Sequence, residues 1–428
     1  MGDNHSRPST PAPPRVRRIL ASILAPLFVA TVIATILLWP TERTQRPSAD
    51  APRYAATVTR IVAESCPPLP DAPDPAGPCG TATVRVHDGP DAGRRIEVPL
   101  PTGPGAPTVQ VGDDVVLALL SDPADPTLTA YAIADHQRGR PLLWLVGLCA
   151  AVVVAFGRWR GVAALAGLAT SFAVLLAFIL PAIGTGGSPL PVAVTGAALI
   201  MFVVLYLTHG VTAQTSVAVL GTLASLVLTG VLATVATAAA HLTGFGSEEA
   251  VTLSVYQADV DLHGLLLAGI IIGSLGVLDD VTVTQAATVA ELAHANPELT
   301  RRQLYRAATR VGRAHIASAV NTIVLAYAGA SLPLLLLVVA GGGAVGDVLT
   351  AEYLAQEIVR SVVSTVGLVA AVPITTGLAA LVVTAGRRTG PARQSRARAD
   401  RDEALAALAG AADRRPWESA PAAPSRTD

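Results

Sequence analysis

Long apolar runs alternate with short polar breaks along most of this chain. Eight runs approach the roughly 20 residues that a helix needs to cross a bilayer at about 1.5 Å per residue. They lie near 19–39, 142–157, 161–180, 190–208, 213–239, 264–286, 316–340 and 359–384, the second being the shortest. Between 40 and 141 the pattern changes to short β-like runs at Tyr54–Ala63, Thr81–Val86, Arg94–Val98, Asp114–Leu120 and Leu128–Ile133. The turns His87-Asp88-Gly89-Pro90 and Val111-Gly112-Asp113 separate some of them. This predicts an α-helical polytopic membrane protein of about eight transmembrane helices with a small all-β extracytoplasmic domain, a closed barrel of the OB or SH3 kind.

Composition agrees. The 428 residues are 51% hydrophobic and 14% charged, with a mean hydropathy of +0.52, which fits multi-span membrane proteins. All 30 basic residues are arginine. Their placement predicts orientation, because short cytoplasmic loops collect positive charge. Arg15, Arg17 and Arg18 precede the first run; Arg158 and Arg160 follow the second; Arg301, Arg302, Arg306, Arg310 and Arg313 follow the sixth; Arg387 and Arg388 follow the last. With eight spans these fall on one side, the cytoplasm, and the opposite loops 181–189, 240–263 and 341–358 hold no arginine. The expected order is a cytoplasmic disordered tail (1–18), a retained signal-anchor helix (19–39), the β domain (40–141), a seven-helix membrane domain (142–385) and a cytoplasmic disordered tail (386–428) with one short helix near 402–412. Both termini are then cytoplasmic, in a bacterial plasma membrane.

Cys66 and Cys79 flank a Pro-rich loop, and on an oxidising face they are expected to form a disulfide. Cys149, in the second run, is expected to be a small buried hydrophobe. After the sixth run, Asn296-Pro297 ends a helix, and Thr300 with Gln303 fits a capping box for a new one. Arg302, Arg306, Arg310 and Arg313 share a face of that helix, as expected of an amphipathic segment lying on anionic lipid.

Candidate chemistry centres on residues 265–291. At helical spacing Gly269, Gly273, Gly276, Asp280, Thr284, Ala287 and Glu291 form one stripe. The glycines predict close helix packing. Ionisable groups in a span are expensive and usually face a protein interior or a water-filled path, so Asp279 and Asp280 are candidates for an ion or proton relay. Adjacent carboxylates that share a site also resist ionising together. Asp280 lies about 27 Å along a helix that starts at Leu262, near the cytoplasmic edge. Asn321, the Thr208-His209 turn with Gln214, and Pro373-Ile374-Thr375-Thr376-Gly377 fall at a similar depth. The last of these is a place where a helix is expected to be interrupted.

Outside, Glu248, Glu249, Asp259, Asp261 and His263 form a weaker candidate for a divalent cation, set against a plain solvated acidic loop. No nucleotide loop, zincin motif, nucleophile elbow or nucleophile–base set is visible, so neither enzymatic activity nor a cofactor is expected. The arginines are accounted for by topology, and no nucleic-acid binding is expected.

With these residues in view, the chain resembles the YibE/F-like family of bacterial multi-pass membrane proteins. The likeness rests on GSLGVLDDVTVTQAATVAEL (273–292), NTIVLAYAGASLPLLLL (321–337), EIVRSVVSTVGLVAAVPITTG (357–377) and VQVGDDVVLAL (109–119). It covers most of 50–385 and implies membrane location without implying an activity. The order Gly273, Gly276-Val277-Leu278-Asp279-Asp280 and Glu291 is also similar to the aspartate helix of resistance–nodulation–division pumps and of the SecD/SecF translocation proteins. That likeness implies that Asp279 and Asp280 couple to protons. The eight runs and the small outer domain depart from those proteins. Two functions are therefore expected in order: a proton- or cation-coupled transporter or export accessory, with Asp279 and Asp280 as relay and Asn321, Thr375 and Thr376 as polar partners; and a non-transporting scaffold or envelope sensor whose β domain binds an outside partner. The expected partners are the lipid bilayer, protons or cations, an unknown small solute or envelope protein, and a further copy of the chain.

Overall fold

The computed structural model describes residues 13–40, 52–64, 66, 79–103, 106–121, 129–257, 260–340 and 345–387. The Pro-rich loop interior, Asp259, most of both tails and the short helix expected near 402–412 lie outside the described residues. The chain divides into two units, Met1–Thr44 with Ala163–Asp428, and Gln45–Val162.

In the second unit, alternating small apolar residues build five antiparallel strands: β1 (Arg53–Glu64), β2 (Cys79–Val86), β3 (Arg95–Pro99), β4 (Asp114–Ser121) and β5 (Thr129–His136). Their order is β3-β2-β1-β4-β5, and β3 also contacts β5. One face buries Ala56, Val58, Ala82, Val84, Val86, Val98, Val115 and Leu117. Pairing shifts between Val58 and Arg60, a bulge that lets β1 bend between β2 and β4. Gly89 turns the chain at φ 85° directly over the Tyr54 ring, where a Cβ would clash. The expected Cys66–Cys79 disulfide is present and ties the start of β2 to the segment after β1.

Six helices among the described residues are long and apolar enough to cross a membrane: Pro14–Leu37, Gly139–Gly184, Pro189–His209, Ala213–Ala239, Leu262–Ala295 and Glu352–Ala385. The helices of the described residues are α1 (Pro14–Leu37), α2 (Gly139–Val174), α3 (Leu180–Gly184), α4 (Pro189–His209), α5 (Ala213–Ala239), α6 (Glu248–Tyr256), α7 (Leu262–Ala295), α8 (Arg301–Ala330), α9 (Leu332–Ala340), α10 (Val345–Thr350) and α11 (Glu352–Arg387). A π-turn, Leu175–Ile179, joins α2 to α3.

The second and third apolar runs are thus one 46-residue stretch, broken by non-helical backbone at Arg158 (φ 52°, ψ −130°). Its first part, in the β-strand unit, is scarcely covered by protein. Cys149 is exposed there, contrary to its expected burial, as are Trp144 and Phe156. Apolar side chains that meet lipid need no protein neighbours to stay stable.

In the helical unit, α5, α7 and α11 pack on one another at the centre, α4 packs on α7, α8 on α11 and α7, and α1 on α4. Val16, Leu20 and Leu24 of α1 are buried in this core, and Phe28 meets Phe202 edge-on. The expected capping box at Thr300–Gln303 is formed. From it α8 runs unbroken to Ala330, so the expected separate surface helix is the first half of a longer one. Its arginines are largely exposed, but Leu304, Ala308 and Gly312 are buried in the bundle, so its apolar face lies on protein rather than on lipid. α11 likewise continues through Pro373 without the expected interruption. Burial of Val372, Thr375 and Thr376 on that turn holds the helix together despite the missing N–H.

Candidate functional site

The 34 residues of α7 have two contrasting faces. The inward face is studded with small polar side chains that bond to neighbouring helices. Ser274 and Ser364 hydroxyls lie 2.8 Å apart, and Thr222 and Thr282 hydroxyls 2.6 Å apart. Gln285 Nε2 donates to the Thr376 hydroxyl at 2.8 Å and to the Ala308 carbonyl at 2.9 Å, joining α7 to α11 and α8. Glycines let the helices come this close. A Cβ at Gly221 would run into Thr375, one at Gly367 into Thr229, and one at Gly312 would lie 2.7 Å from Gln285 Oε1. This is a tightly packed hydrogen-bonded clamp in which side-chain hydroxyls and one carboxamide join helices.

The outward face is the stripe read from the sequence. Gly269, Gly273, Gly276, Asp280, Thr284 and Glu291 are all exposed. The face of α7 that the other helices of the chain cover is the Ser274–Leu278–Thr282–Gln285 side. Ser274 and Thr282 bond carbonyls of α7 as well as hydroxyls on α11 and α5, and Gln285 finds its partners on α8 and α11, so this polar side turns inward.

Asp280 is 73% exposed, and its Oδ2 lies 4.0 Å from His315 Nε2 on α8. That ring nitrogen is enclosed and has no hydrogen-bond partner among the described residues. Asp279 is half-buried, and its backbone carbonyl accepts from the Thr282 hydroxyl. Asn321 is exposed on α8, six residues beyond His315. Thr375 and Thr376 are fully buried in the clamp. The residues expected to act together thus separate, with Asp280 and Asn321 on the outward face and Thr375 and Thr376 in the interior. Thr208 and His209 bond each other at the end of α4, and Thr212 caps α5.

Further along the outward face, a Cβ at Gly273 would lie 3.3 Å from the Tyr327 hydroxyl, and one at Gly269 3.9 Å from Arg360 Nη2. Arg360 pairs with Glu357 at 2.8 Å within α11. Arg360, Tyr327 and His315 thus stand in turn beside Gly269, Gly273 and Asp280 of α7.

Sequence reasoning missed His315, Arg360 and Gln285 as participants. His315 was within reach: α7 and α8 form a hairpin about Pro297, and Asp280 and His315 lie 17 and 18 residues from that turn. Among the described residues no group of three metal-ligating side chains comes together. Asp261 instead caps α7 through the Gly264 N–H, and His263 Nδ1 bonds the Leu242 carbonyl.

The family model of the YibE/F-like proteins matches residues 145–385. The chain belongs to this family. The match begins inside α2 and runs to the end of α11, so it contains α7, α8 and α11 and leaves out the five strands. No curated protein and no solved structure matches the chain. The protein is an integral, multi-pass membrane member of the YibE/F-like family.

Proposed function

We propose that this YibE/F-like protein couples proton or cation movement to transport or export, with Asp280 and His315 as the exchanging pair and Asp279 beside them. The observation that carries the reading is the 4.0 Å approach of a carboxylate to an imidazole, across two helices. A carboxylate and an imidazole can pass a proton between them with a small side-chain rotation or through one water. Arg360, paired with Glu357, stands further along α7, and the Tyr327 hydroxyl stands between. Thr375 and Thr376 contribute by fixing α11 against α5 and α7.

The reading includes eight crossings with both termini in the cytoplasm and α1 as a retained anchor. The 46 residues of Gly139–Gly184 are twice what one crossing needs, and Arg158 divides them. The second half of α8 with α9 supplies a further crossing, while the arginines of its first half stay cytoplasmic.

Purified protein in vesicles loaded with a pH-sensitive dye tests the proposal. Under an imposed potential the wild type is expected to acidify or alkalinise the lumen faster than protein-free vesicles. Asp280→Asn and His315→Gln are expected to abolish the difference while inserting normally. Undiminished flux in Asp280→Asn, or no flux in the wild type, refutes the relay. The second outcome favours a scaffold that uses the strand unit to hold an outside partner.

A further inference from the structure

Arg360 is an arginine that orientation does not explain. Residues 161–300 hold no arginine, and between 314 and 386 Arg360 is the single one. The arginines along the start of α8 collect beside the hairpin that joins it to α7, whereas Arg360 reaches α7 near its other end. Glu352, the first residue of α11, accepts from the Thr243 and Gly244 N–H groups at 2.7 and 2.9 Å. The start of α11 is therefore level with the loop that follows α5. Arg360 is eight residues further on, about 12 Å into the span. Its Nη2 lies beside Gly269, which is seven residues, or about 10 Å, into α7. An ionised group at that depth is expensive and points to a ligand or a path rather than to packing.

The ion pair it makes does not fasten the bundle. Arg360 Nη1 donates to Glu357 Oε1 at 2.8 Å, and both residues belong to α11. Such a pair, taken out of water, stabilises a fold no better than apolar side chains of the same size. The guanidinium keeps its charge and carries five N–H donors in a planar fork that matches a carboxylate. Among the described residues its Nε is enclosed and has no hydrogen-bond partner. The two side chains are 29% and 26% exposed, so the pair is within reach of a solute. From α8 the Tyr327 hydroxyl comes to Gly273, one turn of α7 from Gly269 and about 6 Å along its axis. A guanidinium from α11 and a hydroxyl from α8 thus reach the same short stretch of α7, where two glycines leave room beside them.

We propose that Arg360, helped by the Tyr327 hydroxyl, binds the carboxylate of a small organic monoanion, and that Glu357 holds the guanidinium until that carboxylate replaces it. A single cation in an apolar span balances one negative charge and not the two of a phosphate dianion. Parallel N–H bonds from the fork favour a planar carboxylate over a spherical halide. Glu357 lies one turn nearer the start of α11 and turns toward water when displaced. As the site of a transported solute this rests on the transport reading; as a binding site it does not.

The test reads trifluoroacetate binding by fluorine NMR, with the full chain in nanodiscs of zwitterionic lipid. Wild-type protein is expected to broaden the probe line beyond what protein-free nanodiscs do. Acetate is expected to reverse the broadening, and equal concentrations of inorganic phosphate or chloride are not. Glu357→Gln keeps an oxygen for Nη1 but removes the competing charge, so it is expected to bind the probe at least about tenfold more tightly. The double variant Arg360→Gln, Glu357→Gln removes the pair as a neutral unit, which spares the fold an unpaired charge, and is expected to lose the broadening. Tyr327→Phe is expected to weaken binding about threefold to tenfold. No broadening by the wild type, binding in Glu357→Gln that is unchanged or weaker, binding that persists in the double variant, or equal displacement by phosphate or chloride overturns the proposal. Binding is read without flux. Probe binding in a protein that moves no protons therefore sinks the relay and leaves this site, whereas proton flux without probe binding sinks this site alone.

Discussion

Adding one methyl group at Gly221 tests the clamp between α5 and α11. In Gly221→Ala the new Cβ collides with the Thr375 hydroxyl and lies 3.1 Å from its Cβ and 3.2 Å from its Cγ2. Overpacking of this kind costs about 1–3 kcal/mol, and contact this close belongs in the upper part of that range. Alanine's better helix propensity returns up to about 1 kcal/mol, which leaves a net loss of about 1–2 kcal/mol. Gly230→Ala, nine residues further along α5, is the control. There the nearest atom is Ile271 Cδ1 at an ordinary 3.7 Å, so only the propensity gain of up to about 1 kcal/mol remains. Thr375→Ala supplies the rescue. It removes the two outer atoms that the added methyl group would strike. No hydrogen bond is lost, because the Thr375 hydroxyl has no partner among the described residues. The double variant is expected to be more stable than the sum of the singles by about 1 kcal/mol or more. Reversible unfolding in mixed micelles, titrated with SDS and followed by circular dichroism, measures all four proteins. Equal stability of Gly221→Ala and Gly230→Ala, or strict additivity with Thr375→Ala, refutes the packing argument.

Further expectations concern the strand unit. The Tyr131 hydroxyl donates to Asp91 at 2.9 Å, and Arg94 pairs with the same carboxylate. The Tyr131 bond, then Arg94, holds the Asp91 carboxyl below its ordinary 3.8, while burial, then Asp91, pushes the Tyr131 phenol above 10. A lowered carboxyl pKa contributes stability that is complete above 3.8 and lost as pH falls through the folded value, whereas the raised phenol contributes below 10 and loses its share as pH rises. Infrared melting of the strands in the full chain is expected to show both losses and to lack them in Tyr131→Phe; identical pH profiles refute the linkage. Reducing the Cys66–Cys79 bond, which closes a loop of sequence separation 13, is expected to cost the strand unit about 3 kcal/mol. A strand melting temperature unchanged by reductant excludes that contribution.

Much of this protein is local in origin and was legible in the sequence. Helix-length apolar runs, the five alternating strands, the cap at Thr300–Gln303, the stop at Asn296-Pro297 and the disulfide each depend on residues close together in the chain or on a pattern that a short window displays. The apolar run at 139–184 and the arginine-rich first half of α8 mark where that legibility weakens, because length and hydropathy do not say where a chain turns. At the break in the first of these, the positive φ falls on Arg158 rather than on the neighbouring Gly157, where a reader of the sequence would look for it.

Which side of α7 is covered was decided only by tertiary structure. In a soluble helix the apolar side announces the core, but in a bilayer lipid is as apolar as leucine and the helix is hydrophobic all round. The sequence therefore presented a glycine–aspartate stripe and left its neighbours open. Of those neighbours, α8 follows α7 in the hairpin, whereas α5 and α11 come from separate parts of the chain. They chose the Ser274–Thr282–Gln285 side because buried hydroxyls and carboxamides need partners that lipid cannot provide. That choice put Thr375 and Thr376 in the clamp, turned Asp280 and Asn321 outward, and set His315 beside the aspartate.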